Sequence, residues 1–383
     1  MNCSGPSQIR DVVVIGAGPA GCIAARELAV RGNDVLLVEA RSFPRWKICG
    51  CCLGSLAILT LDEIGLPGLI PSLGGCPVKF IHVYWNGHRR TAQAGSMTSL
   101  SREKLDNALA NIAHSAGADI HWNTRARIAF PGNADMNARV LLDSRGSQIQ
   151  ISARAVVLAA GLHSSLTDAT AKPIHATSSH IGLGLLQRVR PHWLVQGELS
   201  MFIGRHGYAG CILTESGDVT WAAAVAPMAV KIAGGPGACV ADILDEAGLN
   251  GEAIRNEIWK GTRLLTQMIE AQTGRLYRVG DAAGYVEPIT GEGMSWAIAS
   301  GVRAAKVIHS RLQSGTEHLS GTWESARDKL LRMRKFRCSV VASAIRHPTA
   351  LAPTFALAAA SEKLNGLAVN LATGANRVKS ESP

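Results

Sequence analysis

The stretch that most constrains what this chain can fold into is Asp11–Glu39, DVVVIGAGPAGCIAARELAVRGNDVLLVE. Asp11 to Ile15 is an apolar, β-branched run that reads as a strand, and Pro19 opens a helix that stops at Gly32. Between them Gly16, Gly18 and Gly21 fall at G-x-G-x-x-G spacing, and a second apolar run, Asp34 to Val38, ends in Glu39. Gly16 makes the tight turn, Gly18 lets backbone approach a pyrophosphate, and Gly21 lets helix and strand pack closely. Past Pro19, at Ala20 and Gly21, unpaired N–H groups and the helix dipole favour negative charge. Glu39, followed by Ala40 and Arg41, can accept hydrogen bonds from an adenosine ribose, and its charge would repel a 2′-phosphate. Strand, helix, second strand and terminal acid agree on a dinucleotide-binding unit.

With 383 residues, 47% of them hydrophobic and 18% charged, the chain can bury a large core and suggests about two domains. A net charge of +10 raises the question of an acidic partner, so its distribution matters. The densest basic cluster, Arg327 to Arg337, reads as one solvated helix face without interleaved aromatics, which makes nucleic acid the least supported partner. Nine scattered cysteines and no basic-then-apolar leader imply a reduced, cytoplasmic protein. The apolar stretch Pro348–Ser361 is too short to span a bilayer, so the expectation is a soluble chain, at most peripheral to a membrane. Oligomeric state is not legible.

Taken in order, Arg41–Leu53, RSFPRWKICGCCL, is a loop carrying Arg45, Cys49, Gly50, Cys51 and Cys52, spaced too tightly for an ordinary zinc site. Either it brings a thiol to a cofactor or its thiols are simply buried. A helix follows over Gly54–Ile64, then a hairpin over Pro77–Thr91 turning at Asn86–Gly87. Ser101 caps a helix with the apolar face Leu105, Leu109, Ile112 and Ala113. Arg102 thus stands in the first turn, where a cation opposes the dipole unless it faces an anion; an exposed arginine is the other reading. Strands are expected at Asp119–Trp122, Arg139–Asp143, Gln148–Ile151 and Ala153–Ala159, the last running into the small residues Ala160 and Gly161.

From Ile174 to Pro227 the pattern alternates, with strands at Ser179–Val189, Val195–Ile203, Tyr208–Thr214 and Val219–Val225 that imply an inserted antiparallel sheet. Leu276–Gly280 returns as a strand, Asp281 at its end can hold a ribose or ribityl hydroxyl, and Gly291–Glu292–Gly293 opens a helix to about Leu312. Gly234–Gly237 reads as a loop without strand or helix context, so no second dinucleotide unit is expected. Helices over Thr322–Arg346 and Thr349–Ala372 close the chain. The fold class is α/β: a Rossmann-type domain (1–75, 98–172 and 272–315), an inserted antiparallel β-sheet substrate domain (76–97 and 173–271), and a C-terminal helical segment (316–383).

Three separated motifs carry a family resemblance: Gly16–Gly21 with Glu39, R-x-x-L-D at Arg102–Asp106, and GDAAGYVEPITGEGM at Gly280–Met294. Together they resemble the FAD-dependent fold typified by para-hydroxybenzoate hydroxylase, over nearly the whole chain. The resemblance implies that Glu39 holds the adenosine ribose, Arg102 lies along FAD, Asp281 binds its sugar-like chain, and Pro288, Gly291, Gly293 and Met294 line the isoalloxazine ring. Gly284, PITGEGM, and Cys49–Gly50 after Pro44–Arg45 are more similar to the geranylgeranyl reductase branch than to aromatic hydroxylases. Cys51 and Cys52 depart from it, standing where such reductases often have glycine or an acid. No W-x-W pattern supports a tryptophan halogenase.

The resemblance implies an FAD-dependent oxidoreductase reducing a carbon–carbon double bond of an isoprenoid or other lipophilic substrate, with electrons from NAD(P)H or a protein donor. Cys49 is the candidate group near the ring and Tyr208 a candidate substrate contact. The alternative is a monooxygenase hydroxylating an aromatic or polyketide-like substrate; an RNA-associated flavoprotein is more remote.

Overall fold

In a computed structural model the structure describes residues 9–163, 173–175, 180–265, 267–269, 274–285, 289, 291–315 and 323. The two terminal helical segments expected beyond residue 315 lie outside the described residues, apart from Trp323, which is helical and buried.

The glycine-bearing unit forms as its pattern demands. β1 (Ile9–Ile15) leads into α1 (Pro19–Val30), and β2 (Val35–Val38) returns parallel to β1, Val12 opposite Val35. The loop after β2 ends in β3 (Cys52–Gly54) and α2 (Ser55–Glu63). A long hairpin follows, β4 (Cys76–Trp85) and β5 (His88–Ser99). Its turn is Asn86–Gly87 with φ of 49° and 73°, the left-handed pair that matches strand twist in a two-residue loop. α3 (Arg102–Ser115) starts at Ser101, whose hydroxyl accepts the Lys104 N–H at 3.3 Å.

β6 (Asp119–His121), β7 (Arg125–Phe130), β8 (Ala138–Ser144) and β9 (Ser147–Leu158) complete most of the first sheet, in the order β6–β2–β1–β9–β8–β7. The two strands expected over 148–159 are one. The first half of β9 pairs antiparallel with β8; its second half runs parallel to β1 and to a strand from much later in the chain, Leu276–Arg278. The change of partner explains why the residue pattern breaks near Ser152. β7, a short strand among charged residues, was not visible in the pattern.

A two-stranded sheet joins β10 (Pro173–His175) to a later strand, Gln267–Ile269. The inserted sheet then takes β11 (Ile181–Gln187), β12 (Glu198–Gly204), β13 (Gly207–Leu213) and β14 (Val219–Val225). Helix α4 (Pro236–Glu246) and strand β15 (Lys260–Leu264) follow, the sheet's order being β15–β11–β14–β13–β12–β4–β5–β3. The antiparallel expectation fails at one pair: β12 runs parallel to β4, because the two come from segments separated by the first sheet. The loop expected at Gly234–Gly237 is a helix entry, with Gly235 capping α4. α4 covers the outer face of the inserted sheet, where Cys239, Val240, Ile243 and Leu244 pack with Phe202, Cys211 and Trp221. Every residue of β13 is buried, so both faces of this sheet are covered.

Numbering the remaining strands in chain order, β16 is Gln267–Ile269 and β17 Leu276–Arg278; a 3₁₀ turn at Gly280–Ala283 then leads to α5 (Gly293–Ser314). The main core lies where α1, α2, α3 and α5 cover one face of the first sheet, around Leu28, Leu37, Leu105, Leu109, Val157 and Ile298. α1 and α5 cross closely because Gly301 has no Cβ; one would lie 2.5 Å from Ala20 O. No helix among the described residues is long and apolar enough to cross a membrane.

Candidate functional site

Backbone geometry at the ends of β1 and β9 builds the first part of the site. Gly16 has φ of 103° and a Cβ there would lie 2.6 Å from Ala159 O, while a Cβ on Gly21 would run into Gly16 O. Gly18 is the extended N-cap of α1, Pro19 stands at its first turn, and no side chain caps this end. The first-turn N–H groups after Pro19, beginning with Ala20, therefore open a positive helix terminus outward. The nearest atom to a Cβ on Gly18 would be Arg102 Nη2 at 3.8 Å, so a guanidinium overlooks the open backbone.

Glu39 is held as an acceptor. Its Oε2 accepts the Ala17 N–H at 2.9 Å and its Oε1 the Arg41 N–H at 3.1 Å, leaving lone pairs on both oxygens for hydroxyl donors. Ala40 and Arg41 are exposed at the rim. Arg45 reaches within 3.9 Å of Glu39 Oε2 and lies over the Phe43 ring, and its buried Nε has no hydrogen-bond partner. A buried donor without a partner is costly, and an anion in this cradle would satisfy it. The uncapped helix, the orphaned Arg45 Nε and the accepting carboxylate together fit FAD's phosphates and ribose.

Of the two readings of Arg102, exposure is overturned. The residue is buried, and its Nε and Nη2 donate to Asp106 Oδ1 and Oδ2 at 2.8 and 2.7 Å, one helical turn on. Burial by itself would lower the guanidinium pKa; Asp106 and Cys49 more than reverse that and hold it charged. Lys47 joins the cluster, 3.5 Å from where a Cβ on Gly161 would sit. Burial, with Arg102 and Arg45 nearby, lowers its pKa against the pull of Asp106 and Asp281. The sequence reading left Lys47 out; its only signal was a third cation in RSFPRWKICG.

The Arg41–Cys52 loop spans the two sheets. Lys47 faces Gly161; Ile48 packs beneath β11, within 2.9 Å of a Cβ on Gly184; and Cys51 Sγ lies 3.8 Å from Thr220 Oγ1 of β14. Cys52 Cβ would be 3.3 Å from a Cβ on Gly291. Gly50, between these thiols, is exposed. Half-buried Cys49 accepts the Cys51 N–H at 3.4 Å. Its pKa is lowered to about 6, chiefly by a hydrogen bond from the Cys51 thiol and, against the effect of burial, by Arg102. It is thus mainly thiolate at neutral pH, whereas Cys51 is pushed up by the same pairing and by burial.

Across from the glycine cradle, Asp281 sits half-buried in the 3₁₀ turn after β17. The Gly280 N–H goes to Ser300 Oγ at 3.0 Å, and a Cβ on Gly280 would meet that of Ala20 at 3.1 Å, so this glycine seats α5 against α1. Gly291 and Gly293 flank Glu292, the N-cap of α5, which also lacks a side-chain cap. The Met294 side chain is buried in the main core and its backbone stands at the helix start. Pro288 lies outside the described residues. Tyr208, on β13, is buried with Ala224 and Leu265 and packs against Leu162, Met201, Tyr285 and Ile289, so the inserted sheet meets the Gly280–Met294 segment there. Arg102 is thus brought beside Gly18, Gly280 beside Ala20, and Cys52 beside Gly291, from segments far apart in the chain.

A family model described as "FAD binding domain" matches residues 10–333. Menaquinone reductase of Mycolicibacterium smegmatis is 28% identical over 82% of this chain and 79% of its own length. Digeranylgeranylglycerophospholipid reductase of Methanosarcina acetivorans is 25% identical over 80% of this chain and 77% of its own. Among solved structures, a flavin-dependent brominase aligns with a TM-score of 0.76 at 17% identity, covering 96% of this chain and 94% of that one, a likeness of fold. Helix terminus, accepting glutamate, overlooking arginine and a family match across most of the length lead to one conclusion: the chain belongs to the FAD binding domain family and is an FAD-dependent oxidoreductase.

Proposed function

We propose that this enzyme reduces a carbon–carbon double bond of an isoprenoid or other lipophilic substrate lodged between the inserted sheet and the FAD. The observation that carries the reading is the apolar cluster of Tyr208, Ala224 and Leu265, packed with Leu162, Met201 and Ile289 where the inserted sheet meets the segment that opens α5. Apolar side chains at this junction would hold an alkene by burial and exclude water from it. The names of the two reductase relatives, of menaquinone and of a digeranylgeranyl lipid, support it.

In this reading residues 1–75, 98–172 and 272–315 hold the cofactor, and 76–97 with 173–271 form the substrate side. FAD, when bound, supplies the hydride chemistry. Gly16–Gly21 and the start of α1 cradle its pyrophosphate, Glu39 accepts from the ribose, and Arg102 and Arg45 neutralise phosphate charge. Asp281 and Gly161 flank the ribityl chain, and the start of α5 at Gly293 offers N–H groups to the ring. Cys49, ionised beside Arg102, stands at the seam as a proton-exchanging group, and Tyr208 orients the substrate. NAD(P)H or a protein donor delivers electrons in a transient encounter.

The test is to reduce the FAD-loaded protein anaerobically and mix it with a polyprenyl alkene or with oxygen, following flavin absorbance and product mass. Reoxidation by the alkene, with a product heavier by two hydrogens, is expected. Fast reoxidation by oxygen coupled to a hydroxylated aromatic product would overturn the reading in favour of a monooxygenase.

A further inference from the structure

We propose that Cys49 and Cys51 form a dithiol–disulfide couple that exchanges two electrons with the FAD; the proposal rests on the cofactor placement above. Only Gly50 separates the two cysteines, and nothing lies within 4 Å of where its Cβ would be, so the loop can tighten there. Cys51 has φ of 53°, a left-handed conformation that residues with a Cβ rarely adopt, and it turns the chain back on Cys49. The Cys51 N–H donates to Cys49 Sγ at 3.4 Å, so the Cys49 sulfur lies against the Cys51 backbone, and the two thiols shift each other's ionisation in opposite directions.

This pairing divides the labour of a redox dithiol. Cys49, with its pKa lowered to about 6, is the nucleophilic thiolate, and Cys51, pushed upward, keeps its proton and steadies that charge. Among the described residues, four other thiols are held protonated: burial raises Cys22 and Cys211, holds Cys239 at about 11, and pushes Cys52 up to about 12. Position completes the argument. The Arg102 charge lowers the Cys49 pKa and its Nη2 overlooks Gly18, while Cys52, next after Cys51, abuts Gly291. The couple therefore lies between the two backbone turns assigned to the cofactor. On oxidation the Cys51 S–H bond breaks and one S–S bond forms with the Cys49 thiolate; two electrons and one proton pass to oxidised FAD, leaving it reduced by two electrons as the FADH⁻ anion. The reverse reaction stores them again as thiols.

The experiment is an anaerobic dithionite titration of the oxidised, FAD-loaded protein, followed by flavin absorbance and by fragment-ion mapping of the alkylated peptide spanning Cys49–Cys52. The wild type should take up four electrons per flavin and show, before reduction, a Cys49–Cys51 bridge lighter by two hydrogens. Cys51→Ser and Cys49→Ser should each take up two electrons. Two electrons in the wild type, with both thiols alkylated before any reductant is added, overturns the proposal alone. A wild-type protein that binds no FAD overturns the cofactor placement and the proposal with it. The wild-type stoichiometry and mapping decide the matter even if neither variant folds.

Discussion

Removing Asp106 tests the electrostatic core of the site. Arg102 and Asp106 are 8% and 1% exposed and joined by two hydrogen bonds of 2.8 and 2.7 Å, so little water screens them. An exposed pair one turn apart on a helix is worth about 0.3–0.5 kcal/mol, whereas breaking a buried pair costs about 3–5 kcal/mol because the remaining charge is stranded. The buried figure applies here and is reinforced, since Arg102 stands at a helix N-terminus, which disfavours a cation by about 0.3–1 kcal/mol. Lys47 and Arg45 add like charge. Asp106→Ala should therefore destabilise the FAD-free protein by about 3–5 kcal/mol. With an unfolding entropy of about 2.1 cal/mol/K per residue over 383 residues, that lowers Tm by about 4–6 °C. Denaturant titration and calorimetry of the FAD-free and FAD-loaded forms are the assays, and FAD phosphates near Arg102 should make the loss smaller in the loaded form. A loss below about 1 kcal/mol in the FAD-free protein would refute the claim that the pair is desolvated.

Other outcomes separate packing from binding. Gly18→Ala leaves the fold intact, since its Cβ meets nothing closer than Arg102 Nη2 at 3.8 Å, yet weakens FAD about tenfold or more by blocking the pyrophosphate; equilibrium dialysis with FAD checks this. Gly21→Ala collides with Gly16 backbone and should lower soluble yield and thermal stability before any FAD measurement. Cys49 in the wild type should be alkylated with a rate that rises through about pH 6, not about 9, and falls away as acid protonates the thiolate. Cys51→Ala removes the main stabilising hydrogen bond and moves that midpoint upward; an unchanged midpoint would assign the shift to other groups. Glu39→Ala removes the acceptor of the Ala17 and Arg41 N–H groups and should weaken FAD binding, read by fluorescence titration.

Local rules sufficed for much of this molecule. The glycine spacing, Pro19 at a helix start, Ser101 as a cap and Asn86–Gly87 as a turn each act within a few residues, so their structural consequences were legible before any tertiary contact was known. Strand pairing was not. β9 reads as two strands because it changes partner midway, and β12 runs parallel to β4 although both look like meander strands. A side-chain period reports which face is buried and carries no information on the neighbour's direction.

The site divides the same way. Gly16, Gly18, Gly21 and Glu39 were marked by spacing, because one strand–turn–helix–strand unit positions them all. Arg102 was marked only as an anomaly, since a cation in a first turn has two explanations until burial and Asp106 choose between them. Lys47, the side chain of Met294 and the pairing of Cys49 with Cys51 depended on tertiary placement throughout. Charge on a thiol or an amine is set by desolvation and by partners brought from distant segments. The sequence by itself determined that a dinucleotide cradle would form; the folded loop between the two sheets decided which groups face it and in what protonation state.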